Sequence, residues 1–290
     1  MINFLSYIVY GFLKLLSFLP LGVLYIVSDF VYFIVYKIIG YRKAVVTNNM
    51  KNAFPDKSEE EIIRLRKEFY HHFCDLFLET IKLWSMSEDE IKKRCKFLNL
   101  EISDKYVNEN RSVIAILGHY CNWEWMTCFP IWGYENVLPI YKPLHNRTFD
   151  KMYIKIREKF GAKTLAKNDT LRTMLSYRRE NKATFTVFIG DQTPNKRSIN
   201  YWTQFLNQET PILQGTERIA KKLDQAVVFI NMQKVKRGYY EVEFIPLFDN
   251  PKETAENEIT EKHTRVLEEI INKNPAYWLW SHKRWKHKKQ

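Results

Sequence analysis

The sequence predicts an α/β fold: a mainly parallel sheet flanked by helices, preceded by an N-terminal region greasy enough to anchor in a membrane. Three observations carry this. Apolar runs of strand length recur from about residue 110 onward, and two of them close on a glycine. Stretches of helical length and periodicity lie between them, and strands alternating with helices indicate a parallel layer. The first forty residues are almost free of charge. The chain divides accordingly into 1–41, a hydrophobic anchor; 42–105, a helical segment; and 106–290, the α/β domain.

Within 1–41 the only formally charged side chains are Lys14, Asp29 and Lys37. A membrane span needs about 20 mostly apolar residues. Residues 15–39 have that length, interrupted at Pro20 and Asp29. Two readings stand: an uncleaved anchor that spans or lies in the bilayer, or a pair of buried core helices that turn at the interruptions. A secretory signal fits poorly, because it needs a basic start and a small-residue cleavage site. Arg42 and Lys43 follow at once, and the positive-inside rule then favours a cytoplasmic body.

Residues 58–84 read as a helix. Ser58 is a cap, Glu59, Glu60 and Glu61 suit the positive helix end, and Ile62, Leu65, Phe69, Phe73, Leu76 and Phe77 recur at helical spacing. His71 and His72 read as a solvated face. A short helix, 87–94, repeats the Ser cap and acidic first turn.

Five strands are expected at 112–117, 137–141, 184–189, 226–232 and 239–245. Helical stretches are expected at 123–129, 149–160, 169–179 and 215–223, with a final amphipathic helix at 256–272. The run Ser112-Val113-Ile114-Ala115-Ile116-Leu117 is continuously apolar after its first residue, as a fully buried strand requires. The last two strands meet at Lys236-Arg237-Gly238 and read as a hairpin.

With 46% apolar and 15% aromatic residues, the chain can bury a sizeable core and is not a disordered protein. The formal charge of +12 bears on partners rather than fold: nucleic acid, anionic lipid or phosphorylated substrates. The hydrophobic N-terminus has no use in a nucleic-acid binder. Cys74, Cys95, Cys121 and Cys128 form no CxxC pair and no zinc-spaced cluster, and read as packed, reduced thiols.

Polar residues gather where the strands end, the usual place for a site in an α/β sheet. The first strand runs into Gly118-His119-Tyr120-Cys121-Asn122-Trp123-Glu124. Gly118 lets the chain turn closely and leaves His119 at a strand-to-helix junction. If the chain folds back there, Glu124 accepts from one imidazole nitrogen and leaves the other as a base. The second strand ends in Tyr141-Lys142-Pro143, followed by Arg147, two cations suited to phosphate or an anionic carrier. The third ends in Gly190-Asp191-Gln192; Asp191 either orients a cation such as Lys142, binds a substrate hydroxyl, or initiates a turn. Asn122, Lys142, Arg147, Asp191 and Gln192 are the substrate-binding candidates, and no metal site is expected. Residues 201–206 line an acyl channel or form a core strand. The tail Trp278-Leu279-Trp280-Ser281-His282-Lys283-Arg284-Trp285-Lys286 mixes indoles with cations, as a membrane-interface segment or as a packed Trp face beside a charged tail.

Taken in order, these motifs resemble the lysophospholipid acyltransferase superfamily, and within it the lipid A biosynthesis (late, Kdo2-lipid A) acyltransferases. The His119-x4-Glu124 box is joined by Tyr41-Arg42-Lys43, Asn48-Asn49-Met50, Ala53-Phe54-Pro55, Tyr141-Lys142-Pro143, Gly190-Asp191-Gln192, Thr210-Pro211 through Gly215 to Ala220, and Pro275-x2-Trp278-x-Trp280-x-His282-Lys283-Arg284-Trp285-Lys286. The likeness covers nearly the whole chain. The form of the box is most similar to that of Bacteroidetes-type bacteria. The resemblance implies a glycerolipid-acyltransferase-like fold, His119 and Glu124 as a catalytic dyad, and transfer of a fatty acyl chain from acyl carrier protein or coenzyme A to a hydroxyl of a lipid A precursor. It implies no cofactor beyond that thioester, and a place at the cytoplasmic face of a bacterial inner membrane. Two departures are visible: Lys142 stands where many members have Arg, and Thr193 where an acidic residue often follows Gln. Other acceptors, an ornithine lipid or a lysophospholipid, remain as alternatives, as does a non-catalytic membrane-binding protein.

Overall fold

The apolar run after Ser112 becomes the middle strand of the sheet. The computed structural model describes residues 2–289; Met1 and Gln290, the outer ends of the expected anchor and α/β segments, lie outside the described residues. Strand β2 (Val113–Leu117) is buried at all five positions. It pairs in parallel with β5 (Phe185–Ile189) on one side and with β8 (Ala226–Lys236) on the other. The sheet has seven strands in the order β1-β9-β8-β2-β5-β3-β4, where β1 is Cys95–Phe97, β3 Val137–Tyr141, β4 Leu165–Ala166 and β9 Tyr239–Phe248. Among the described residues, the only antiparallel pair of that sheet is the β8–β9 hairpin. The mainly parallel α/β sheet is therefore as expected. The two added strands, β1 and β4, are three and two residues long, too short for alternation to register in the sequence.

Helices cover both ends of the chain and both faces of the sheet. The N-terminal part comprises α1 (Ile2–Ser17), α2 (Leu21–Tyr32), which continues into a wider turn at Phe33–Ile39, and α3 (Lys43–Ala53). Gly40, at φ +63°, ends that stretch in the left-handed conformation that costs glycine nothing. Helix α4 (Glu59–Lys82) begins with a full capping box: Ser58 Oγ accepts from Glu61 N, and Glu61 Oε2 accepts from Ser58 N. The remaining helices are α5 (Glu88–Arg94), α6 (Leu100–Asn108), α7 (Arg147–Arg157), α8 (Thr170–Arg179), α9 (Gly215–Leu223) and α10 (Glu258–Lys273).

Helix α2 runs antiparallel along α4. Tyr25 meets Glu79, Ser28 meets Asp75, Tyr32 stacks on His71, and Tyr36 meets Arg66. The stretch Leu21–Ile39 is long and apolar enough to cross a membrane, with mean hydropathy 1.8, and little of it is buried. Its free face, with that of α1, exposes Phe4, Phe12, Phe18, Ile26, Phe30 and Ile38. The alternative of two buried core helices is thus not what forms: one face packs on α4 and the other is bare.

One local expectation is corrected. His72 does not sit on a solvated face; it is 3% exposed and its Nε2 lies 3.2 Å from the Cys121 carbonyl. Of the two readings of residues 201–206, the strand is the one that forms: β6 (Trp202–Phe205), with Phe205 buried, pairs with β7 (Gln208–Pro211) in a separate two-stranded hairpin.

Candidate active site

Leu117 ends β2, and the chain must then turn hard against the neighbouring strand end. A Cβ at Gly118 would lie 2.6 Å from Leu267 Cδ1 and 3.3 Å from Asp191 Oδ2, so a larger residue has to push the Leu267 side chain aside and crowd the carboxylate. That close approach puts His119 against the end of β5. Its backbone N–H donates to Asp191 Oδ2 at 2.8 Å, and its ring Nδ1 donates to Asp191 Oδ1 at 2.5 Å. Trp278 Nε1 donates to the same carboxylate at 2.7 Å. With Nδ1 protonated toward Asp191, Nε2 is the free acceptor, and the exposed Gln192 amide points at it from 3.1 Å. The His119 side chain is 15% exposed and Asp191 only 4%. Burial raises the Asp191 pKa, but the His119 ring beside it and the three N–H donors outweigh burial and hold it at about 2.

His119 thus stands at the end of the strand as expected, but the carboxylate it pairs with is Asp191, not the expected Glu124. Glu124 does not reach His119. Residues Trp123–Trp132 form a 3-10 turn rather than an α-helix, and Glu124 faces α7, where Arg157 grips it with Nε at 2.8 Å and Nη2 at 2.6 Å. Burial works against the Arg157 charge, but the Glu124 carboxylate more than compensates and its pKa is raised. Asp191 neither orients Lys142 nor stands free for a substrate hydroxyl, since its oxygens are taken by His119 and Trp278. Lys142 and Arg147 are exposed, with no hydrogen bond or ion pair among the described residues. Asn122 is wholly buried and donates to Glu79 Oε2 at 2.7 Å; it supports the turn from behind rather than facing substrate.

The ion pair closes one end of a small cleft of about 40 Å³ lined by Leu117, Trp123, Met126, Ile140, Val187 and Ile189, with Tyr141 beside Arg157. His119 does not line that cleft itself; its ring stands edge-on, at 4.9 Å, to Trp123, which does. Helix α1 packs against α7 nearby, and Asn146, which caps α7, donates to Ser6 Oγ. Among the described residues no group of three His, Cys, Asp or Glu side chains is arranged to hold a metal ion.

The tail folds in rather than out. Leu279 N donates to the His119 carbonyl, Cys121 N donates to the Tyr277 carbonyl, and Tyr120 bridges Trp278 as in an antiparallel ladder. Trp278, Trp280 and Arg284 are buried, so the packed Trp face is what forms, and the exposed cations are Lys283, Lys286, Lys288 and Lys289. Arg284 donates Nη2 to the Pro211 carbonyl; burial pushes its pKa down to about 10, against the pull of Asp191. It borders a void of about 10 Å³ with Asp191 and His263 on the side of the sheet covered by α10.

A family model of bacterial lipid A biosynthesis acyltransferases matches residues 1–287. The chain belongs to that family. This acyltransferase is 20% identical to the lipid A biosynthesis palmitoleoyltransferase of Escherichia coli (strain K12), over 84% of its own length and 79% of the relative's. The lipid A biosynthesis lauroyltransferase of the same organism is 20% identical over 93% of this chain and 91% of the relative. A lipid A biosynthesis acyltransferase of Haemophilus influenzae is 22% identical over 80% and 72%. Membership makes the chain an O-acyltransferase. Two residues of its site escaped sequence reasoning. Arg157 lies in a helix with no motif around it, and nothing in the sequence signals its pairing with Glu124. Trp278 was visible as part of the tail motif, but no local pattern tells an indole buried on a carboxylate from one resting at a membrane interface.

Proposed function

We propose that this enzyme transfers a fatty acyl chain from an acyl thioester, on acyl carrier protein or coenzyme A, to a hydroxyl of a lipid A precursor, with His119 as general base. The observation that carries this is the His119–Asp191 pair: Nδ1–H is fixed on a buried carboxylate, and Nε2 is left as an acceptor beside an apolar cleft. Nε2 removes the proton of the acceptor hydroxyl once Gln192 gives way. The alkoxide attacks the thioester carbonyl, and the tetrahedral centre collapses with cleavage of the carbon–sulfur bond. The proton held on Nε2 then passes to the departing thiolate. Asp191 stabilises the imidazolium formed between the two steps.

Glu124 keeps a place in this scheme through Arg157. Its carboxylate engages Nε and Nη2 and leaves Nη1 free of that pair, a donor for the oxyanion on the thioester side. The cleft has room for about 40 Å³ as it stands, so its apolar lining must open to take the acyl chain. Lys142 and Arg147, both exposed, supply point charges for phosphates of the acceptor or for an acidic carrier, and the chain's +12 charge favours either by steering.

The enzyme works at a membrane surface, on the cytoplasmic face of the bacterial inner membrane. Helix α2 is clamped along α4 from Tyr25 to Tyr36, so it cannot cross the bilayer without drawing in a helix that carries Arg66, Asp75 and Glu79. It lies in one leaflet, with its bare side toward the acyl chains and Arg42 and Lys43 at the headgroups. Mass spectrometry of lipid A from cells with and without the gene tests the acceptor. Loss of one acyl chain, restored by wild-type protein and not by His119→Ala, is the expected result. Unchanged lipid A together with a changed ornithine lipid or phospholipid pool would overturn the acceptor assignment.

A further inference from the structure

Behind the His119 turn lies a buried polar network that the chemistry above does not use. Glu79, on α4, is fully buried and collects three donors at once. Tyr25 OH of α2 reaches Oε1 at 2.9 Å; Tyr240 OH of β9 and Asn122 Nδ2 of the catalytic turn both reach Oε2 at 2.7 Å. The backbone carbonyl of the same residue accepts from Trp125 Nε1 at 3.4 Å. One turn earlier on α4, Asp75 accepts from Ser28 Oγ of α2 at 2.7 Å and from Arg237 at 2.6 and 2.9 Å. Lys234 lies 3.8 Å from Asp75 and also faces His72 Nδ1, which leaves the other His72 nitrogen to donate to the Cys121 carbonyl. The apex of the β8–β9 hairpin rests on α2, with Arg237 over the Tyr25 ring at 4.5 Å.

Two chains of contact therefore run from the lipid-facing helix to the two residues that set the turn after His119. One is Tyr25–Glu79–Asn122. The other is Ser28–Asp75–Lys234–His72–Cys121. The turn needs such support, because Cys121 sits at φ +51°, a left-handed conformation that a non-glycine residue adopts only when its surroundings impose it. A polar network in the interior is also costly to leave half made, so loss of one member is felt by the others.

We propose that Glu79 is a positioning residue that couples the seating of α2 to the alignment of His119. It touches no substrate. It holds Asn122, three residues beyond the base, and is itself held by Tyr25 on the anchor helix. This rests on the acyl-transfer reading above. Displacing α2 from its groove removes a donor from Glu79 and loosens the turn. The enzyme is thereby switched down when its anchor is not docked.

A double-mutant cycle on the full-length enzyme in detergent micelles tests this, with kcat, the KM for acyl thioester and the thermal midpoint measured for each variant. Tyr25→Phe removes a hydroxyl far from the base, and Asn122→Ala disconnects the turn; Asn122→Ser replaces the latter should it fail to fold. Misplacing the base by a fraction of an ångström lowers kcat about tenfold in Tyr25→Phe and about 100-fold in the Asn122 variant, with KM within about twofold. The double variant is no slower than the Asn122 variant alone, because the hydroxyl has nothing left to transmit. Effects that multiply to about 1,000-fold, or a Tyr25→Phe enzyme of full kcat, overturn the coupling. A wild-type enzyme without acyl-transfer activity sinks the proposed function instead, so the two failures are distinguishable.

Discussion

Replacing Asp191 with asparagine isolates what the carboxylate does for His119. The substitution keeps size and shape but supplies one acceptor oxygen where there were two. Asp191 Oδ2 serves two fixed donors, the His119 backbone N–H and Trp278 Nε1, and Oδ1 serves the ring. The asparagine oxygen is drawn to the paired donors, which turns its NH₂ toward Nδ1. Nδ1 must then accept, so the ring proton moves to Nε2, and the nitrogen facing substrate is no longer a base. A tautomer reversal of this kind costs about 10⁴-fold in turnover, or about 5.4 kcal/mol of barrier. Stability falls as well. The Asp191 pKa drops from 3.8 to about 2 in the fold, which corresponds to ~2 kcal/mol present above pH 3.8 and lost as pH falls toward 2. The assay is transfer of labelled acyl groups from a thioester to glycolipid, alongside thermal unfolding at pH 7. An Asp191→Asn enzyme with more than a tenth of wild-type turnover refutes the assignment. It would return the role of orienter to Glu124, through a rearrangement the structure does not show.

Three further outcomes follow from the same geometry. Arg157→Lys keeps the charge and loses the two-pronged grip on Glu124, so kcat should fall about 10- to 100-fold with little change in KM; steady-state kinetics reads the split, and an increase in KM alone would assign Arg157 to binding. Burial lowers the pKa of His72 to about 3 and of His263 to about 4, so between pH 6.5 and about 4 the unfolded chain takes up protons that the native state refuses. Stability then falls with decreasing pH by up to ~2.7 kcal/mol per unit from this pair; unfolding monitored across that range should flatten measurably in His263→Gln, and an unchanged slope counts against a neutral buried ring. Ile26→Ser and Phe30→Ser each remove a large side chain, 70% and 64% exposed, from the bare face of α2. Each should weaken cosedimentation with anionic phospholipid vesicles by about 10- to 100-fold, the value of 1.5–3 kcal/mol per buried apolar side chain, without unfolding the enzyme. Undiminished binding would mean that another surface meets the lipid.

Elements whose own residues decide them were legible in the sequence. The buried run at β2, the Ser58 capping box and the β8–β9 hairpin turn each rest on local chemistry. Gly118 and His119 were found because a glycine at a strand end is a local signal. Pairings between distant segments were not legible. Asp191 lies 72 residues from His119, and the spacing that drew attention to Glu124 carries no information about which way a 3-10 turn points its side chains. His72 was misread for the same reason. Beside His71 it resembles any polar pair on an amphipathic helix, and only the β8–β9 strands and the catalytic turn arriving from elsewhere in the chain bury it.

The two carboxylates of the site have separate tasks because their neighbours differ. Asp191 is sealed beneath the imidazole and bound on every side by N–H groups, so it acts only through His119. Glu124 is committed to a guanidinium whose side chain is 20% exposed at the end of the cleft, so it acts only through Arg157. Exchange of partners is disfavoured: drawing Glu124 to the imidazole would strand the largely buried Arg157, and breaking such a pair typically costs 3–5 kcal/mol. The His119-x4-Glu124 box thus delivers two devices from a single turn. In the proposed reaction these serve as a base toward the acceptor hydroxyl on one side and a fixed cation toward the thioester on the other. Five residues suffice for this because the 3-10 turn after Asn122 directs Glu124 toward α7, while Gly118 holds His119 against β5.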